Sequence, residues 1–92
     1  MQATSERVKA DMNRRLRRIE GQVQGVQRML DDDRDCREIV QQLQAIRSAV
    51  QNATTLFMQS YARDCLLQTE ELSPAERADL VDELLDLMAR TA

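Results

Sequence analysis

Two cysteines are the side chains of this sequence best suited to chemistry, because a thiolate binds soft metal ions and attacks sulfur electrophiles. Cys36 and Cys65 are 29 residues apart, so on one helix they share a face but lie about 43 Å from each other. A disulfide needs Cα atoms within about 7 Å. If two copies of that helix pack antiparallel about a two-fold axis, Cys36 of each copy faces Cys65 of the other. An inert buried thiol is the alternative for either cysteine.

Histidine is absent from the sequence. This removes the commonest general base and the commonest transition-metal ligand, so hydrolases that pair Ser or Cys with His are excluded. No glycine-rich phosphate loop accompanies the thiols either, and we predict that the protein is not an enzyme. Two widely spaced cysteines without a signal-peptide pattern are typical of a reduced, cytoplasmic protein. No apolar run reaches membrane-spanning length, so no membrane partner is expected.

Basic side chains are concentrated near the start of the chain. The net charge is -3, yet residues 1–30 carry seven basic and three acidic side chains, whereas residues 64–92 carry two basic and eight acidic ones. Twelve of the thirteen basic residues are Arg, whose fork matches phosphate. On a helix, five of them lie within an arc of about 100°: Arg7, Arg14, Arg17, Arg18 and Arg28. Gly21 and Gly25 share this arc and suggest close approach by a phosphate backbone or another helix. A merely solvated face is the alternative.

Apolar residues recur every three or four positions, as on amphipathic helices. The first such series predicts a helix over about residues 5–30 and consists of Val8, Met12, Leu16, Ile19, Val23, Val26 and Leu30. The second predicts a helix over about residues 36–66 and consists of Ile39, Leu43, Ile46, Val50, Ala53, Phe57 and Tyr61. Four aspartates in residues 31–35 separate the two series. An antiparallel hairpin of two long helices is therefore expected.

A third, shorter helix is predicted over about residues 74–90. Ser73 and Glu76 form a capping-box pattern, and Pro74 occupies the first helical position. The fold prediction is thus all-α, with three helices in the order long, long, short, in one domain over residues 1–92. A 92-residue chain buries only roughly 60 to 65% of its unfolded surface, so we expect it to oligomerise.

Two stretches and both cysteines resemble the CsoR/RcnR family of bacterial transcriptional repressors. They are RLRRIEGQVQGVQRML at residues 15–30 with Cys36, and QQLQAIRSAVQNA at residues 41–53 with Cys65. The resemblance covers most of the chain. It implies antiparallel dimers that pair into disc-like tetramers and bind operator DNA without a standard reading motif. It assigns DNA contact to residues that here are Arg14, Arg15, Arg17, Arg18 and, from the second helix, Arg47.

The resemblance also implies where an inducer binds. Copper-sensing members use Cys from one subunit with His and Cys from its partner, at positions that here look like Cys36, Tyr61 and Cys65. Tyr61 lines the expected site but supplies no nitrogen ligand, so the resemblance predicts against nickel and cobalt sensing. It also gives less support to formaldehyde sensing, which in this family relies on a Cys and a nearby His. Two thiolates remain, and these can hold Cu(I) linearly. The sequence is most similar to the CstR-type branch, whose members sense persulfides with two Cys and no His.

The sequence therefore predicts a repressor that senses persulfides or other reactive sulfur species through an inter-subunit Cys36–Cys65 pair. A polysulfide cross-link would release operator DNA. The expected partners are operator DNA, other copies of the chain and small persulfides or polysulfides, with no resident cofactor or metal. Two alternatives stay open: a Cu(I)-responsive repressor of the same family, in which both thiolates are metal ligands, and a helical oligomerisation module that senses nothing.

Overall fold

Three α-helices make up the computed structural model, which describes residues 5–67 and 71–91, apart from the side chains of Cys65 and Thr91. They are α1 (Glu6–Asp31), α2 (Cys36–Leu67) and α3 (Pro74–Thr91). The predicted all-α fold with two long helices and one short helix is confirmed, and the described ranges contain no strand. α1 begins and ends one residue later than predicted, while α2 and α3 each end one residue later. Residues 68–70 of the expected connector lie outside the described part.

The turn between α1 and α2 is a Schellman motif, in which two backbone amides after the helix bond back to its last carbonyls. The N–H of Arg34 donates to the carbonyl of Met29 at 3.0 Å, and the N–H of Asp33 donates to that of Leu30 at 3.2 Å. Asp33 has a φ of 53°, in the left-handed region that Gly usually fills but a short polar side chain tolerates. α2 begins three residues later, so the two helices pack antiparallel as a hairpin.

Small and branched residues let α1 and α2 pack side by side. Val26 on α1 and Ala53 on α2 are both buried, with exposed fractions of 7% and 4%. α2 continues for 32 residues, a length of about 48 Å. All α2 side chains therefore project from one continuous helix.

α3 starts with the predicted capping box. The N–H of Glu76 donates to the Ser73 hydroxyl, and the Ser73 N–H donates to the Glu76 carboxylate, each at 3.2 Å. Hydrogen bonding to the Glu76 carboxyl group, from the Ser73 backbone N–H first and from the Ser73 side chain second, lowers the pKa of Glu76 below its ordinary value of 4.5. Leu80 and Leu84 then pack α3 against the end of α2.

The folded chain is a thin slab. Its dimensions are 59 × 26 × 14 Å and its radius of gyration is 17.8 Å, against about 12 Å for a compact domain of this length. Only four apolar side chains in the described ranges are buried, whereas twelve large ones are exposed. Such a slab leaves much apolar surface for other copies to cover. None of the described helices is long and apolar enough to cross a membrane.

Candidate thiol site and nucleic-acid interface

One side of the α1–α2 hairpin is an apolar flank. Val26 and Ala53 mark the buried face of α1 and of α2, and on the helical repeat the members of the flank lie about 40–80° to the same side of that face. Each is exposed to between 41% and 57%. We define the apolar flank by Leu16, Val23 and Leu30 of α1 and Leu43 and Val50 of α2. No described part of the chain covers these side chains, so their apolar surface is open to a second molecule.

Cys36 lies at one end of the apolar flank. It is the first residue of α2, it is exposed and it is a free thiol. Leu43 and Val50 follow it at steps of seven residues, so all three lie along one line of the helix. A molecule that covers the apolar flank therefore also meets the Cys36 thiol.

Cys65 belongs to the last turns of the same helix, although its side chain lies outside the described part. Because α2 is unbroken between the two cysteines, their separation of about 43 Å along the axis holds in the folded chain. The structure does not bring the two predicted sensing thiols of one protomer together. Among the described residues, no group of three or more His, Cys, Asp or Glu side chains is arranged to hold a metal ion.

Tyr61, the predicted site-lining residue, lies in the contact between α2 and α3. It is half-buried against Leu80 and Leu84, and its ring is stacked near that of Phe57 with centroids 6.5 Å apart. Tyr61 thus helps to hold α3 in place one turn before Cys65. A phenol oxygen is a hard donor that suits Cu(I) poorly.

The opposite side of the hairpin carries three of the arginines predicted to contact DNA, namely Arg14, Arg15 and Arg18. Asp11 accepts hydrogen bonds from Arg14 at 2.8 Å and from Arg15 at 3.0 Å. These bonds, that from Arg14 first, lower the pKa of the Asp11 carboxyl below its ordinary value of 3.8. The ionised carboxylate therefore holds both guanidinium groups in ion pairs. Arg17 and Arg18 are exposed, and no ion pair within the described ranges holds either of them.

A cleft of about 130 Å³ lies between α1 and α2 on this side, and Arg15, Arg18 and Asn52 are among the residues that line it. We call Arg14, Arg15, Arg18 and Asn52 the basic flank. Asn52 was not predicted from the sequence. In a hairpin that reverses near Arg34, residue 52 lies opposite about residue 16. This register could have predicted from the sequence that Asn52 lies beside the arginines of α1. Amides and guanidinium forks together suit phosphate oxygens and base edges.

Arg47 and the two glycines of α1 have different surroundings from those expected from the sequence. Arg47 is exposed and lies one turn from both Leu43 and Val50, on the apolar flank. Within one chain it therefore does not join the arginines of α1. A Cβ atom added at Gly21 or Gly25 would meet nothing within 4 Å. The close approach inferred from these glycines is not made by any described part of the chain itself.

Comparison with known proteins identifies the family. Residues 8–90 match the family model described as metal-sensitive transcriptional repressor. The chain belongs to this family. It is 34% identical over 86 residues to the copper-sensing transcriptional repressor CsoR of Bacillus subtilis (strain 168), covering 94% of this chain and 83% of that protein. Its identity to the copper-sensing transcriptional repressor RicR of Mycobacterium tuberculosis (strain ATCC 25618 / H37Rv) is also 34%, over 53 residues, which are 58% of this chain and 55% of that protein.

A solved structure shares the fold of this repressor family member. The copper-sensing repressor CsoR with Cu(I) from Geobacillus thermodenitrificans NG80-2 superimposes with a TM-score of 0.79 at 31% identity, covering 98% of this chain and 92% of that one. The predicted CsoR/RcnR membership is confirmed, and so is the prediction that the protein is not an enzyme. All three relatives are copper-sensing by name. The persulfide-sensing branch predicted from the sequence gains no support from them.

Proposed function

We propose that this repressor binds operator DNA through its basic flank and releases it when Cu(I) binds two thiolates, Cys36 of one protomer and Cys65 of a partner. The observation that carries the proposal is the unbroken α2, with the free thiol of Cys36 exposed at its first residue. This arrangement keeps the two thiols of one chain apart. Only a second chain can supply the missing thiol.

Antiparallel association of two copies follows from the apolar flank. The flank runs along both long helices, and its α2 part continues the line of Cys36, Leu43 and Val50. Packing two such faces about a two-fold axis near Val50 buries the exposed side chains and sets each Cys36 against the opposite end of the partner's α2. The basic flank then faces outward, where DNA can reach it. Pairing of such dimers into a disc-like tetramer is the assembly that family membership favours.

Copper(I) is the inducer that best suits this donor set. Thiolates are soft ligands that select Cu(I), which is stable with two sulfur ligands in line. The copper-sensing relatives support this choice over a persulfide. Because the chain has no histidine, we propose a two-coordinate site without the nitrogen of the family pattern, and Tyr61 acts by packing rather than as a ligand.

Induction requires that Cu(I) favour a state with low affinity for DNA. A metal ion bound by Cys36 of one protomer and by Cys65 of a partner fixes the distance between the α2 helices of the two protomers. The basic flank includes Asn52 of α2. A change in the packing of the two α2 helices therefore moves Asn52 relative to the arginines of α1. The coupling therefore passes through α2 itself.

Anaerobic titration with Cu(I) against a chromophoric chelator, combined with X-ray absorption, tests the site. We expect one Cu(I) per thiol pair, two sulfur ligands and no nitrogen ligand. Cys36→Ser and Cys65→Ser should each abolish tight binding and Cu(I)-induced release while DNA affinity is retained. Met29→Leu, which removes a sulfur atom from α1, is the matched control. Unchanged Cu(I) affinity in both serine variants would refute the site.

Persulfide sensing is the second candidate, and the absence of histidine favours it. The Cys36 thiolate would take the outer sulfur of a persulfide RSSH, releasing the thiol RSH. Attack by the opposing Cys65 thiolate on this new persulfide would then expel hydrosulfide and close a covalent bridge. Intact mass spectrometry and non-reducing gels after polysulfide treatment separate the two candidates, because only persulfide sensing predicts covalent dimers. Bridges that contain additional sulfur atoms would make these dimers heavier by whole sulfur masses.

A module that oligomerises without sensing or binding DNA is the remaining alternative from the sequence. Titration with duplex DNA at increasing salt decides it. Phosphate contacts release counterions, so affinity should fall steeply with salt. Arg18→Ala should weaken binding and flatten that dependence.

A further inference from the structure

The open end of the hairpin, where α1 begins and α2 ends, contains a second cavity. Its volume is about 420 Å³, and both helices line it. Arg7 comes from the first turn of α1 and Arg63 from the last turns of α2, and Ser5 and Ser60 line the same cavity. Two arginines and two serines from the ends of two helices thus line one space.

The charges in this cavity are not balanced. Arg7 and Arg63 are both exposed, and neither forms an ion pair with any residue in the described ranges, although Asp64 lines the same cavity. Arg14 and Arg15, by contrast, are both held by one carboxylate. Two arginines that line one cavity and lack an ion-pair partner attract an anion.

The cavity continues the basic flank along the hairpin. Arg7 precedes Arg18 by 11 residues on α1, and Arg63 follows Asn52 by 11 residues on α2. Eleven residues are about three turns, so each pair points the same way with an axial separation of about 16 Å. The two groups of donors therefore lie on the same side of the hairpin at matched heights.

We propose that Arg7 and Arg63 bind a backbone phosphate of DNA, as a second contact point in each protomer. The proposal rests on the proposed function, in which the basic flank binds DNA. Guanidinium forks bind phosphate oxygens in a bidentate manner, and the serine hydroxyls supply further donors. At about 3.4 Å per base pair, a spacing of 16 Å corresponds to about five base pairs, so the two points contact separate phosphates. Asp64 opposes this contact by its charge.

The test measures affinity against salt for a labelled duplex that the repressor selects from a random-sequence pool. Arg63→Gln should weaken binding by about tenfold and reduce the slope of log affinity against log salt by about one for each contacting protomer. Arg63→Lys, which keeps the charge, should retain the slope. Asp64→Asn should tighten binding by about two- to fivefold. Arg90→Gln, an equal change of charge in an exposed pair on α3, is the matched control.

Each outcome decides between the two contact points. If Arg18→Gln weakens binding and Arg63→Gln changes neither affinity nor slope, the inference is wrong while the proposed function stands. If neither variant has an effect, the proposed function fails as well. A loss of affinity in Arg63→Gln with an unchanged slope would mean a structural role and overturn the inference. NMR shifts at this cavity on addition of inorganic phosphate, combined with normal DNA binding by Arg63→Gln, would also overturn the inference. That combination would indicate a site for free anions. Circular dichroism establishes that each variant is folded.

Discussion

Exchange of chains between two single-cysteine variants tests the antiparallel thiol pairing most directly. Cys36→Ser and Cys65→Ser each leave one thiol per protomer. In an antiparallel dimer the two remaining thiols lie at opposite ends of the paired α2 helices, about 43 Å apart, because 29 residues of unbroken helix separate the two positions. A short thiol-specific cross-linker therefore cannot join the chains of either variant alone.

Mixing the two variants, unfolding them together and refolding them restores one Cys36–Cys65 pair in each mixed dimer. Random pairing makes about half of the dimers mixed, so cross-linking should reach about half of the yield in the wild-type protein. The assay is a denaturing gel without reductant after brief treatment with a short bismaleimide. Proteolysis and mass spectrometry of the dimer band identify the linked peptides.

Two results would refute this reasoning. Efficient cross-linking of Cys65→Ser with itself would mean that two Cys36 thiols are adjacent, as in a parallel pair of helices. A mixture that cross-links no better than the separate variants would mean that Cys36 has no Cys65 nearby. A mixture in which the variants are refolded separately before mixing controls for random collision.

Three further changes test local features of the structure. Asp11→Asn should tighten DNA binding by about two- to fivefold in a fluorescence anisotropy titration, because the arginines that this carboxylate holds become free for phosphate; weaker binding would mean that the carboxylate positions them. The lowered pKa of Glu76 stabilises the fold above pH 4.5, and this contribution is lost as the pH falls through the lowered value. Glu76→Gln should therefore show a shallower loss of thermal stability on acidification than Glu83→Gln. Asp33→Gly should raise the free energy of unfolding in urea by about 0.5 kcal/mol, whereas Asp32→Gly, at a φ of -90°, should lower it.

Most of the fold was predictable because the helices are long and their apolar residues recur regularly. The capping pattern of Ser73 and Glu76 located the start of α3 correctly. The motif that ends α1 gave no such signal, since its left-handed residue is Asp33 where Gly is usual. Its place follows from backbone hydrogen bonds that only the folded turn reveals.

The candidate site was predicted less completely, because part of it depends on which residues of α1 lie opposite which residues of α2. Helical phase located Cys36 and the arginines of α1, because those predictions concern one helix at a time. Asn52 and Arg63 were missed because their relevance depends on which α1 residues lie opposite them. The packing of Tyr61 under α3 depends on a contact with Leu80, nineteen residues later in the chain. Such contacts follow from tertiary structure and not from periodicity.

The continuity of α2 makes it a lever. A tilt of about 5° around its midpoint would displace each tip by about 2 Å, with no bending and no break in its hydrogen bonds. Displacements of that size exceed the tolerance of a guanidinium-to-phosphate hydrogen bond. An event at the Cys36 end of this helix can therefore move Arg63, near the other end, out of reach of DNA, and a kink introduced in mid-helix, for example by proline, would absorb the motion before it arrived.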